Sequence, residues 1–194
     1  YLPRWGEFDQ RVALGFDHRA YLNRCTIAGL GSGVCGPAGE SVTVHPLSLE
    51  YSAQAGGATS LGLSASLSGN LRLGGRNTSA AHFEAVRPGA APSYVALRFG
   101  ATGGTVVAED WSIRGRLTGQ LTRDGLVPGE QFGIGGASSV RGYEERELVG
   151  DNGAFASVEL GSPSLLGQPL AGRLSLLAFA DAAYVANQLD TPCL

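Results

Sequence analysis

The sequence predicts an all-β chain folded as part of an antiparallel transmembrane β-barrel. Three observations carry this expectation. Apolar and polar residues alternate with period two in seven segments of about ten residues, the mark of strands with one greasy and one wet face. The connections between the segments are alternately long and short, as in an outer-membrane barrel with loops at one end and turns at the other. The composition fits neither a helical bundle nor a collagen, because 30 of 194 residues are glycine with no three-residue period.

The segments follow in order. In 8–19, Phe8, Val12, Leu14 and Phe16 stand against Asp9, Arg11, Asp17 and Arg19. In 47–54, Leu47, Leu49, Tyr51 and Ala53 oppose Ser48, Glu50, Ser52 and Gln54. The cleanest is 60–73, with Leu61, Leu63, Ala65, Leu67, Leu71 and Leu73 on one parity and Ser60, Ser64, Ser66, Ser68, Asn70 and Arg72 on the other. Around 94–102, Val95, Leu97 and Phe99 oppose Arg98 and Thr102, and in 111–122 Trp111, Ile113, Leu117 and Leu121 oppose Arg114, Arg116, Thr118 and Gln120. Weaker strands are predicted at 153–161 and 173–185. No helix is expected beyond a single turn at Ser79–Glu84. The links 23–41, 74–93 and 124–152 are long, and those near 55–59, 103–110 and 162–172 are shorter.

Strand patterning alone fits a soluble β-sandwich equally well; the loop asymmetry favours the membrane. In the clean strands every Arg, Asp and Glu lies on the wet parity, whereas an Arg facing lipid near mid-membrane costs about 2–4 kcal/mol; the wet parity carries both signs, as in Asp9, Arg11, Glu50, Arg72, Arg98, Arg114 and Glu159, consistent with a hydrated lumen. Tyr51, Tyr94 and Trp111 fall near strand ends, either as an interfacial girdle or as ordinary packing aromatics. Seven strands do not close a bacterial barrel, whose smallest examples have eight, and their two edges would leave unpaired backbone groups in lipid. With no methionine and Tyr1 at its start, the chain is expected to be a piece of a longer polypeptide, with 1–194 forming part of one barrel domain.

Other functions find little support. All 14 basic residues are arginine, offset by 17 acidic ones to a net charge of −3, so no basic face points to nucleic acid. No run of about 18 apolar residues suggests a spanning helix. Cys25 and Cys35 flank a glycine-rich loop segment, either as a disulfide, which needs an oxidising compartment, or as two free thiols; Cys193 is left over. His18, His45 and His82 are far apart and lack metal-ligand spacing, so no metal or cofactor is expected. Neither Gly133-Ile-Gly135-Gly136, which lacks the strand-to-helix context and spacing of a nucleotide-binding turn, nor any nucleophile elbow or zinc helix supports an enzyme.

The longest connection contains Gly129-Glu-Gln-Phe-Gly-Ile-Gly-Gly-Ala-Ser-Ser-Val-Arg-Gly-Tyr143 and then Gly150-Asp151-Asn152-Gly153. Its Val140-Arg141-Gly142-Tyr143 core resembles the signature loop of the Omp85 superfamily of outer-membrane secretion and assembly proteins. The upstream Glu-Gln-Phe and Gly-Gly narrow the resemblance to two-partner secretion transporters, the haemolysin secretion/activation (ShlB/FhaC-type) branch. The resemblance implies about seven strands of a 16-stranded barrel, the seventh to thirteenth. It also implies long loops outside the cell, short turns in the periplasm, and periplasmic POTRA domains and closing strands not contained in this chain. Phe179-Ala-Asp181-Ala-Ala183 stands where the family has Phe-x-Asp-x-Gly, with Ala183 in place of the glycine. Asp181 shares its parity with Arg173 and Phe179, opposite Leu174, Leu176, Ala178, Ala180, Ala182 and Tyr184, and a mid-strand carboxylate belongs on the lumen side.

In the family the loop folds back into the barrel and its arginine meets the strand aspartate, which implies an Arg141–Asp181 latch. Gln131, Phe132, Gly135, Gly136, Gly150 and Asp151 would support the loop. Gly142 is expected to turn the chain at the tip, and Gly135-Gly136 to pass close to the wall. A guanidinium grips a carboxylate through two parallel hydrogen bonds, and screening in a wet lumen would leave the contact open to breaking and remaking. The function implied is a monomeric pore in the bacterial outer membrane that passes a large secreted partner protein, an adhesin or haemolysin, to the cell surface. Barrel insertion, the sister activity of the superfamily, and a soluble β-rich binding module are the alternatives.

Overall fold

Period-two patterning produces a continuous antiparallel meander. The computed structural model describes residues 2–25, 32–165 and 174–189. Its strands are β1 (Asp9–Phe16), β2 (Arg19–Tyr21), β3 (Val42–Val44), β4 (Pro46–Ala55), β5 (Thr59–Asn70), β6 (Val95–Val106), β7 (Ser112–Thr122), β8 (Phe132–Ile134), β9 (Leu148–Gly150), β10 (Asn152–Gly161) and β11 (Leu177–Ala186). Seven form one sheet in the order β1-β4-β5-β6-β7-β10-β11, every pair antiparallel. These seven correspond to the seven predicted segments. β5 stops at Asn70, short of Leu71 and Leu73, where the Asn70 side chain accepts the His45 N–H (2.6 Å) and donates to the Pro92 carbonyl (2.7 Å). β6 runs four residues further than predicted, to Val106. β11 begins at Leu177; Arg173 and Cys193 lie outside the described residues.

Register aligns the apolar parity across the sheet. Leu14 faces Leu49, Leu49 faces Leu67, Leu67 faces Leu97, and Leu97 faces Leu121. These leucines are exposed, Leu14 at 74% and Leu67 at 51%. Such a continuous apolar surface would be an association liability in water and is the contact surface of a membrane barrel. No described helix is long and apolar enough to cross a membrane; the crossing is made by strands. No Arg, Asp or Glu of the seven strands shares the apolar parity. Gln10 does, and it is satisfied by the Tyr51 hydroxyl, which donates to its Oε1 (2.7 Å), and by the Pro3 carbonyl, which accepts from its Nε2 (3.0 Å). A charge placed on this surface should be costly. Leu67→Arg is expected to lose about 2–4 kcal/mol in urea unfolding of the full-length parent in lipid vesicles, where the same change on a water-facing surface would stay within about 0.5 kcal/mol.

With the apolar face turned outward, the hydrophobic core sits elsewhere. Val42, Val44, Phe83, Ala90, Tyr94, Leu126 and Val127 form a buried cluster among the long connections, with Tyr21 and Val86 packed against it. Tyr94 is therefore a core residue and no part of a girdle. Tyr51 lies mid-strand against Gln10, not at a strand end, while Trp111 stays at the short-turn end before β7. The expected single turn is a seven-residue helix, α1 (Ala80–Val86): alanines favour it, Phe83 anchors it in the core, and Arg87, extended before Pro88, ends it. β2 and β3 pair at the two ends of the first long connection, within which Cys25 and Cys35 form a disulfide with Cα atoms 6.0 Å apart.

Candidate functional site

The connection from β7 to β10 is more ordered than a loop. Its two legs pair as β8 and β9, with Phe132 opposite Gly150 and Ile134 opposite Leu148, an element that three-residue strands leave invisible to periodicity. Beyond them the tip closes on itself. The Gly136 N–H donates to the Tyr143 carbonyl (3.1 Å), and the Ser139 hydroxyl both accepts from the Gly135 N–H and donates to the Gly135 carbonyl (2.8 Å each). Gly135 has φ +110°, and a Cβ there would overlap the Glu144 carbonyl oxygen. The expectation for Gly135-Gly136 is thus corrected: they pass close to the loop's own returning leg at Glu144 and Glu145, not to the barrel wall. The close approach to the wall belongs to Gly150, where a Cβ would come within 2.9 Å of the Ala186 carbonyl oxygen. Gly142, at φ +94°, makes the turn after Arg141.

Arg141 is gripped from several sides on the polar face of β10 and β11. Its Nε and Nη2 donate to Oδ2 and Oδ1 of Asp181, both at 2.7 Å, and its backbone N–H adds a third bond to Oδ2 (3.2 Å). Nη1 donates to Glu159 (2.6 Å) and Nη2 to the Ser157 hydroxyl (3.0 Å), while the guanidinium lies 3.6 Å from the centroid of the Phe179 ring. The register explains the assembly, since Ser157 faces Asp181 and Glu159 faces Phe179. The side chain of Asp181 is 4% exposed, those of Arg141 and Glu159 23% and 26%. This contact is more enclosed than a screened pair in an open lumen. Val140 and Tyr143 line a cleft of about 290 Å³ beside Asp181 and Ala183, with the Tyr143 ring largely exposed. Arg116 donates to the Ser138 carbonyl (3.3 Å).

A second cluster holds the root of the loop, and most of it escapes sequence reasoning. The buried Glu130 carboxylate accepts from Arg19 Nη1 (3.1 and 3.3 Å), Arg98 Nη2 (3.1 Å) and the Tyr21 hydroxyl (2.8 Å). Burial first, and the Glu130 carboxylate second, push the Tyr21 hydroxyl up to about 12. Asp151, fully buried, accepts from Arg87 Nη1 (2.6 Å) and Nη2 (3.0 Å), the Leu126 N–H (2.9 Å), the Gln131 side chain (3.1 Å) and the Gln188 N–H (2.9 Å). Burial works against its charge, but the Arg87 guanidinium and the Leu126 and Gln188 amides outweigh it and hold the carboxyl below its ordinary value. Phe132 packs over Gly153, and Gln131 also donates to Asn187 (3.2 Å). Arg19, Arg98, Gln120 and Glu159 could be placed on the wet face by parity; Glu130 and Arg87 carried no such signal. His18 and His45, far apart in sequence, meet with ring centroids 4.9 Å apart, and His45 stacks on Phe16.

Known proteins resemble this chain in sequence and in fold. The family described as haemolysin secretion/activation protein ShlB/FhaC/HecB matches residues 40–191. The outer membrane transporter CdiB of Escherichia coli is 36% identical over 73 residues, 38% of this chain and 12% of that protein. The transporter of the same name from Escherichia coli O6:K15:H31 (strain 536 / UPEC) gives the same figures. The solved structure of CdiB from Escherichia coli superposes with a TM-score of 0.74 at 20% identity, covering 98% of this chain and 34% of that one. The chain thus spans about a third of that structure, and the likeness is one of fold. The two-partner secretion transporters of the Omp85 superfamily are channels and not enzymes. The chain belongs to the haemolysin secretion/activation family ShlB/FhaC/HecB and forms part of a β-barrel of the bacterial outer membrane.

Proposed function

We propose that the parent polypeptide is a monomeric outer-membrane pore that carries a large partner protein of adhesin or haemolysin type from periplasm to cell surface. Residues 1–194 lie within its barrel domain, whose remaining strands and periplasmic domains belong to other parts of the parent. The latch of Arg141 on Asp181 holds the 124–152 loop against the inner wall in the conformation that export requires. The single observation that carries this reading is the grip on Arg141, in which Asp181 takes three of its hydrogen bonds, Glu159 and Ser157 one each. A solvated loop arginine has no need of two carboxylates, a hydroxyl and an aromatic face. The arrangement holds and positions the tip of the loop. The apolar outer belt argues against a soluble binding module.

Arg141→Ala in the full-length parent tests the reading, with blots for the transporter in the outer membrane and for the partner in the medium. Insertion at the normal level with export lost is the expected result. Normal export would reduce the latch to a structural remnant.

A further inference from the structure

The loop is held at two places that differ in how the hold is shared. At the tip the bonds to Asp181, Glu159 and Ser157 come from one residue, Arg141, whose side chain is about a quarter exposed, so losing that one side chain loses the grip. At the root the hold is divided among several groups: the Glu130 side chain is 1% exposed, Gln120 equally so, and Arg98 34%. Gln120 projects from the polar face of β7 and bridges the loop's two legs. Its Nε2 donates one bond to the Glu130 carbonyl (3.1 Å) on the outgoing leg and another to the Asp151 carbonyl (3.0 Å) on the returning leg. Its Oε1 accepts from Arg98 Nε (2.7 Å). Arg98 in turn donates from Nη2 to both the carbonyl (3.2 Å) and the carboxylate (3.1 Å) of Glu130, and from Nη1 to Ser68 on β5 (3.3 Å). Three adjacent strands thereby hold both legs through one amide and one guanidinium.

We propose that Gln120 is a positioning residue which, with Arg98 and Glu130, locks the root of the loop to the barrel wall, so that the tip releases Asp181 while the loop stays inside the lumen. This rests on the latch reading given above. An amide matches its surroundings here, because two N–H groups meet two carbonyls and one carbonyl meets a guanidinium. Glutamate at this position would set a carboxylate against two peptide oxygens, and leucine would take the amide donor from both, leaving the Glu130 oxygen to Arg98 alone. The root would then act as a pivot, confining the motion to residues 135–147.

Distances between spin labels in the full-length parent, in lipid vesicles and with other free cysteines replaced, test this directly. One label replaces Gln54 on the polar face of β4; the second replaces either Pro128 at the root or Ala137 at the tip. Arg141→Ala should broaden the 54–137 distances and leave the 54–128 distances narrow. Gln120→Leu should broaden both. A narrow 54–128 distribution in an inserted Gln120→Leu barrel overturns the proposal. Should that variant fail to insert, Gln120→Asn decides in the same way: its side chain is one methylene too short to reach both carbonyls, so a broadened root distance supports the lock and a narrow one overturns it. Export is measured alongside. A broadened root or tip with undiminished export would refute the latch reading and leave the root lock standing.

Discussion

Replacing Asp151 by alanine should destabilise the barrel by about 3–5 kcal/mol, the penalty for removing one partner of a buried ion pair. Asp151 is fully buried and takes both Nη groups of Arg87, two backbone N–H groups and the Gln131 amide. Alanine would leave the Leu126 and Gln188 amides without this acceptor and the Arg87 guanidinium, at 10% side-chain exposure, without its carboxylate, though still bonded to the Leu126 carbonyl. Urea unfolding of the parent in lipid vesicles measures the loss; a change below about 1 kcal/mol would place Asp151 among ordinary exposed pairs. The pH dependence has a defined sign. Because the native carboxyl titrates below its ordinary value, its contribution is complete above the unfolded value near 3.9 and fades as pH falls through the native one. Wild type and Asp151→Ala should therefore differ fully at neutral pH and converge only in strong acid.

The loss concerns a part of the molecule that the sequence conveys poorly. Strands are legible because lipid on one side and water on the other enforce a strict alternation, so the parity of Leu61 to Leu67 is read without any knowledge of neighbours. Exceptions to parity arise where a third partner intervenes. Gln10 faces outward because Tyr51 and Pro3 satisfy it. Phe155 and Phe179 face inward because the loop covers the wall there: Phe155 is buried and Phe179 carries the Arg141 guanidinium.

Loop contacts obey no period. Arg19 meets Glu130 across 111 residues and Arg87 meets Asp151 across 64, pairings set by which strand ends the meander brings to one rim. Parity places Asp181 on the lumen side, but its pairing with Arg141 is legible through family resemblance alone. Their additional partners Glu159 and Ser157 follow from register once β10 and β11 are paired.

The second large effect concerns that contact. Arg141→Asp places a third carboxylate beside Asp181 and Glu159; Asp181→Arg faces one guanidinium with another. Either change should expel the tip from its seat by like-charge repulsion while leaving the root bonds and the outer belt intact. Combining them restores opposite charges, with Glu159 on β10 also available to an arginine at 181.

Export by the reciprocal pair is accordingly the measurement to make, in the full-length parent, with the amount of inserted barrel as the control. Direct pairing predicts that each single variant inserts but exports little, and that Arg141→Asp with Asp181→Arg regains a large part of wild-type export. Singles that export normally, or an inserted double variant no better than either single, would contradict a latch between these two residues.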